Sequence, residues 1–177
     1  MRLRRGVAAL AMMAAATSAL AGCSGSDDDG IDVEPTSEAE PTSEDGLTAE
    51  EQEAVDTVET YLEALYARGT DPIAESIDGL ITDEFAADLV PGEETIEADG
   101  NKRLGPYEFA LDTVTVDGDE AQVVGCLDLS LSFVVPAEDT EVSGGAPVGG
   151  RSVTTYGLER VDDAWRVAYP LSEGEEC

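Results

Sequence analysis

From Thr48 onward the apolar positions fall into two periods. Val55, Val58, Leu62 and Leu65 recur at helical spacing with Tyr61 beside them, which marks one apolar helix face. Thr48-Ala49-Glu50-Glu51 opens that helix with a capping-box pattern, in which the Thr hydroxyl and the Glu carboxylate each satisfy the other's backbone N–H. Arg68 suits the last turn and Gly69 the stop, so the first helix is predicted over 49–68. Asp71-Pro72 begins a second helical stretch running to about Leu80, because proline fits a first helical position. A third, short helix is predicted over 83–89, after Thr82 and before Pro91-Gly92. Residues 92–105 read as a charged, glycine-containing connection.

Beyond Gly105 the period changes to two. Tyr107, Phe109 and Leu111 alternate, and Val114 and Val116 continue in the opposite phase, which predicts a β-bulge near Asp112-Thr113. Asp117-Gly118 is a hairpin-turn signal. The next strand places Ala121, Val123, Leu127, Leu129, Leu131, Phe133 and Val135 on one face and Gln122, Cys126, Asp128, Ser130 and Ser132 on the other. Residues 136–150 read as a glycine-rich hairpin tip. A strand over 151–161, a turn at Asp162-Asp163 and a last strand with Trp165, Val167 and Tyr169 on one face complete the domain. Helices first and antiparallel strands after them define an α+β fold with helices packed on a curved antiparallel sheet.

This order of elements resembles the nuclear transport factor two-like cone shared with ketosteroid isomerases, and the plan of small secreted lipoproteins of actinobacteria. The resemblance rests on the amphipathic first helix, on Gly125-Cys126-Leu127-Asp128 in the long strand, and on Leu158 to Val167 with Trp165-Arg166-Val167. It covers residues 48–177, and a cystatin-like sheet and helix is the alternative at this level. It implies a pocket between helices and concave sheet, with Tyr61, Tyr66, Tyr107, Tyr156 and Trp165 as its lining. Tyrosine and tryptophan at alternating positions otherwise serve as core.

The amino terminus changes the picture. Arg2, Arg4 and Arg5 precede an uncharged run from Gly6 to Ala21, too short to span a bilayer, which reads as an export signal over residues 1–22. Leu20-Ala21-Gly22-Cys23 resembles the lipobox of bacterial lipoprotein precursors. That resemblance implies a diacylglyceryl group on the Cys23 thiol, cleavage just before it, and an anchor on the extracytoplasmic face of the cell membrane. Two acyl chains hold stably where one gives only marginal binding. Residues 23–47 carry Asp27-Asp28-Asp29 and a near repeat, Glu34-Pro35-Thr36-Ser37-Glu38 and Glu40-Pro41-Thr42-Ser43-Glu44, with little to bury. They are predicted to form a disordered acidic tether. An EF-hand started at Asp27 would put Asp32 where the loop needs glycine, which argues against calcium there.

Charge narrows the partners. The 177 residues hold 40 acids against nine bases, and removal of the signal takes Arg2, Arg4 and Arg5 away. Such a chain repels polyanions, so nucleic acid is excluded as a partner. The membrane, through Cys23, and an envelope protein remain. The sequence contains no His, which removes Ser-His-Asp and Cys-His catalysis and the commonest metal ligand, so neither a metal nor another cofactor is expected.

Cys126 and Cys177 remain after lipidation, and two thiols in an exported chain argue for one structural disulfide. Cys126 sits on the polar face of its strand, so the tail must cross the back of the sheet. Neither cysteine has a Cys-x-x-Cys partner or a basic sequence neighbour to activate it. Ketosteroid-isomerase chemistry needs a carboxylate base and a hydrogen-bond donor for the oxyanion. No spacing marks one carboxylate as buried, and Asp128 shares the outer face with Cys126. The sequence therefore favours a non-catalytic protein-contact module on a lipid anchor. Carriage of a small apolar ligand in a cone-shaped pocket is the alternative, with isomerase-like catalysis behind both.

Overall fold

The structure is a computed structural model that describes residues 46–174 and 176–177. The export signal, Cys23 and all but the end of the tether lie outside the described residues. Helix α1 spans Ala49–Tyr66 and carries the capping box: Glu51 N–H donates to Thr48 Oγ1 at 3.2 Å, and Thr48 N–H donates to Glu51 Oε2 at 2.8 Å. Its apolar stripe, Ala54, Val55, Val58, Tyr61, Leu62 and Leu65, is buried.

The second helical stretch is shorter than its sequence suggests. Helix α2 is the single turn Ile73–Ser76 behind Pro72. The chain cannot stay helical to Leu80 because it pairs with the last strand there. Val167 N–H donates to Leu80 O at 2.9 Å, and Thr82 N–H donates to Val167 O at 3.0 Å. The third helix is longer than predicted: α3 runs Asp83–Ala98, capped by Thr82, straight through Pro91. Pro91 lacks the N–H of a helical hydrogen bond. The turns after it are held instead by carboxylates, since Glu93 and Glu97 are bound by Arg68 and Arg103. Glu97 Oε1 also accepts Ile73 N–H at 2.9 Å. The predicted 92–105 connection is thus half helix, and its end is strand β1, Asn101–Leu104.

The main sheet is antiparallel in the order β2-β3-β6-β7, built from Glu108–Asp117, Glu120–Asp128, Arg151–Val161 and Ala164–Ser172. The β2–β3 register shifts between Leu111 and Thr113, the bulge that the phase change implies. Asp162 and Asp163 take φ of 52° and 64° in the β6–β7 turn, a left-handed pair suited to a tight hairpin. A smaller sheet, β1-β4-β5, adds Phe133–Pro136 (β4) and Ala146–Pro147 (β5), so the 136–150 loop contains a short strand.

Two expectations from strict alternation fail, each for a local reason. The long strand ends at Asp128 instead of running to Val135. Asp128 Oδ1 accepts Ser130 N–H at 2.9 Å and Ser132 N–H turns back to Leu129 O at 3.0 Å, so the chain bends into the smaller sheet. Leu131, expected in the core, is 62% exposed, while Ser132 is buried with its hydroxyl on Pro106 O at 2.7 Å. In β7, Leu158 pairs with Val167 but Gly157 pairs with Tyr169, so Ala168 is skipped. Trp165 and Val167 point inward and are buried, whereas Tyr169 turns to the opposite face and is half exposed. Its ring lies so close over Gly157 that a Cβ there would sit 2.3 Å from it, which only glycine allows. The core is the α1 stripe packed with Ile73, Ile77 and Ile81 on Ala121, Val123, Leu127, Tyr156, Leu158, Trp165 and Val167.

Candidate functional site

The inward faces of the strands do not all meet helix. Towards one end of the main sheet, Leu127, Thr154, Tyr156 and Ser172 stand under α1 with a space of about 470 Å³ between them. Tyr61, Leu62, Leu65 and Tyr66 form its roof, and Leu129, Gly149 and Gly150 close one side. The volume falls in the range of small-molecule sites, about 300–1,000 Å³. Helical spacing on α1 puts Tyr61, Leu62 and Leu65 on the side facing the sheet. Period-two spacing on β6 brings Ser152, Thr154 and Tyr156 to the same side.

Of the aromatic residues predicted as lining, Tyr61, Tyr66 and Tyr156 are brought together here. Tyr107 stands outside, its ring 5.6 Å from that of Tyr66. Trp165 packs in the core under Arg160, whose guanidinium lies 4.2 Å from its ring. No Asp or Glu side chain lines the cavity among the described residues. Arg151 is at its edge, where its Nε donates to Cys126 Sγ at 3.3 Å. Asp128 is partly exposed on the outer face, and its hydrogen bonds with Ser130 hold it below the usual carboxylate range. Among the described residues, no three acidic or thiol side chains converge as metal ligands.

Apart from Arg151 at the edge, the polar side chains of the described lining are hydroxyls. Tyr61 and Tyr156 are 2% and 1% exposed, and their ring centroids lie 6.3 Å apart. Burial pushes both hydroxyls above their ordinary range. For Tyr61 the neighbouring Tyr66, Tyr156 and Glu93 add to the rise, and Arg103 opposes it. A raised folded pKa stabilises the protein below the unfolded value near about 10, and that contribution is lost as pH rises above it. The urea-unfolding free energy should thus be level through pH 9 and fall beyond pH 10. The slope is bounded by about 1.4 kcal/mol per pH unit for each buried phenol. Tyr156→Phe should flatten it, and an equally steep fall in that variant would count against the assignment.

Sequence reasoning missed the charged cluster behind the roof. Glu93 is 3% exposed and accepts Arg68 Nη2 at 3.1 Å, Arg103 Nε at 3.0 Å, and Arg103 Nη2. Arg68 also reaches Glu97 at 2.8 Å, and the Arg103 guanidinium lies over the Tyr66 ring. The one buried carboxylate among the described residues is thereby claimed by two guanidiniums. It braces Tyr66 from behind and is not available as a base. Among so many acids, nothing in the sequence singled it out.

At the cavity mouth Ser172 and Gly174 form part of the wall. Glu173 N–H continues the β6 ladder by donating to Val153 O at 3.1 Å. Beyond them, Cys177 Sγ is at bonding distance from Cys126 Sγ, with Cα atoms 5.8 Å apart.

No protein-family model matches the chain, and no curated protein matches it. Solved structures do resemble it. The intermembrane-space region of the chloroplast protein ARC6 is 14% identical, with a TM-score of 0.49 over 69% of this chain and 95% of its own. An NTF2-like protein of unknown function from Shewanella oneidensis is 18% identical, with a TM-score of 0.44 over 68% and 96%. An NTF2-like protein with a cystatin-like fold from Novosphingobium aromaticivorans is 20% identical, with a TM-score of 0.41 over 71% and 84%. The α+β description itself rests on the helices and sheets set out above.

Proposed function

We propose that this chain is a lipid-anchored extracytoplasmic binding protein whose domain holds one small, uncharged and mainly apolar molecule between α1 and the main sheet. The observation that carries this reading is the pair of largely buried phenols, Tyr61 and Tyr156, in the wall of a cavity of about 470 Å³ whose described lining holds no carboxylate. A hydrogen bond from one of these phenols to an acceptor on a ligand would contribute about 0.5–1.5 kcal/mol net. Leu62, Leu65, Leu127 and Leu129 supply the apolar contact, so the fitting molecule is a hydrocarbon body with an acceptor such as a carbonyl or ether oxygen.

Isomerase-like catalysis ranks below this, because the lining offers phenol donors without a carboxylate base. The protein-contact reading keeps one feature in its favour. Tyr169 and Leu171 on the outer side of β7 are about half exposed. Anchoring at Cys23 follows from the lipobox resemblance and would tether the domain to the membrane.

Native mass spectrometry of the protein recovered from its own membrane tests both parts. The expected spectrum carries the diacylglyceryl mass on Cys23 and a retained neutral molecule, which Leu127→Trp should expel by filling the cavity. Cys23→Ala should move the protein to the aqueous phase. A spectrum with an unmodified Cys23 would remove the anchor, and one with a bound protein and no small molecule would favour the contact module.

A further inference from the structure

The cavity mouth is built partly from a segment that little else holds. After β7 ends at Ser172, the described residues keep one backbone hydrogen bond, from Glu173 N–H to Val153 O, and Ser172, Glu173 and Gly174 are all exposed. Residues 172–176 contain no apolar side chain to bury. Gly174, at φ 71°, turns the chain, so that Ser172 and Gly174 face the cavity while Cys177 reaches the back of the sheet. The post it reaches is rigid. Cys126 lies in β3, paired with Ala110 on one side and Val153 on the other, and its neighbours Gly125 and Leu127 are buried.

We infer that Cys126 and Cys177 are positioning residues for the ligand cavity: their bond straps residues 172–174 across its mouth and so sets how long a bound molecule stays. This rests on the ligand-binding reading above. The strap touches the cavity without supplying a hydrogen bond to its interior phenols. Its effect therefore falls on escape rather than on recognition, and loosening it should act mainly on the dissociation rate. Selectivity for a neutral apolar molecule remains with the leucines and with Tyr61 and Tyr156.

The test uses the mature chain with Cys23→Ala, free of lipid, and Nile red, an uncharged apolar fluorophore with a carbonyl acceptor. Nile red should bind the oxidised protein at one saturable site that Leu127→Trp abolishes. Reduction with a phosphine should speed its release about tenfold, as expected when affinity changes act through the off-rate. The near-ultraviolet circular dichroism of buried Trp165 should stay native on reduction. Leu158→Ala provides the control, since it weakens the core at a residue that does not line the cavity and leaves the bond intact. It should release the dye at the wild-type rate. An unchanged release rate after reduction would overturn the strap. So would loss of the native Trp165 signal, or release from Leu158→Ala as fast as from the reduced chain, because either would mean that the bond acts through overall stability. Absence of saturable binding by the oxidised protein would instead overturn the ligand reading, and the strap with it.

Discussion

Glu93→Ala is expected to destabilise the domain by about 3–5 kcal/mol, the cost of removing one partner from a buried ion pair. Arg68 and Glu93 each have side chains only 4% exposed, and Arg103 is 17% exposed. Burial alone would weaken the Arg103 charge, but its hydrogen bond to Glu93 and the carboxylate's charge outweigh that, so its pKa is raised. Without Glu93, Arg68 retains Glu97 and the Asp71 carbonyl, whereas Arg103 keeps only its stacking on Tyr66. The penalty thus falls mainly on Arg103 and on the α3 turns after Pro91. Glu93→Gln keeps the shape and removes the charge, so it should lie in the same direction with a smaller loss. Replacing Glu93, Arg68 and Arg103 together by apolar residues should restore much of the stability, because no charge is then left buried. Urea unfolding followed by circular dichroism measures all three. A loss under about 1 kcal/mol for Glu93→Ala would mean that water screens the cluster as it does a surface pair.

The legible parts of this fold were those with unbroken local signals. Strand 151–161 lies between a glycine-rich loop and the Asp162-Asp163 turn signal, and the first helix carries both a capping box and a single apolar stripe. The failures share one cause: long-range contacts outvoting a local rule. Pro91 reads as a helix end, yet Glu93 and Glu97 find the guanidiniums of Arg68, just beyond α1, and Arg103 in β1, which hold the helix beyond it. Leu131 continues a perfect alternation, yet Asp128 captures Ser130 N–H and ends the strand. Tyr169 keeps the phase of Trp165 and Val167 until a bulge at Ala168 reverses it. At the cavity, aromatic residues were visible as candidates because they are few. Which of them meet depended on where α1 crosses the sheet, and periodicity does not encode that. Glu93 carried no mark at all, since its partners lie 25 residues before it and 10 after it in the chain.

Reduction of the Cys126–Cys177 link is expected to lower stability by up to about 4 kcal/mol in the chain-entropy account of cross-links. The separation of 51 residues closes a loop containing β4, β5, β6 and β7. In the unfolded chain that loop is long and its closure removes many conformations. In the folded chain the sheet already brings Ser172 next to Thr154, so the bond has only to join a tail that is near. Part of the gain will be absent if the reduced unfolded chain keeps residual β6–β7 hairpin structure, which places the expected loss below that ceiling. Unlike Glu93→Ala, which acts on the folded state by stranding a charge, reduction acts largely on the unfolded one. It should therefore leave the native spectrum unchanged while shifting the urea midpoint. Paired urea titrations of the oxidised and reduced protein, with non-reducing peptide mapping to verify the link in the starting material, provide the measurement. Coincident midpoints, or free thiols at both positions in protein from its native envelope, would remove the disulfide from the stability of this domain.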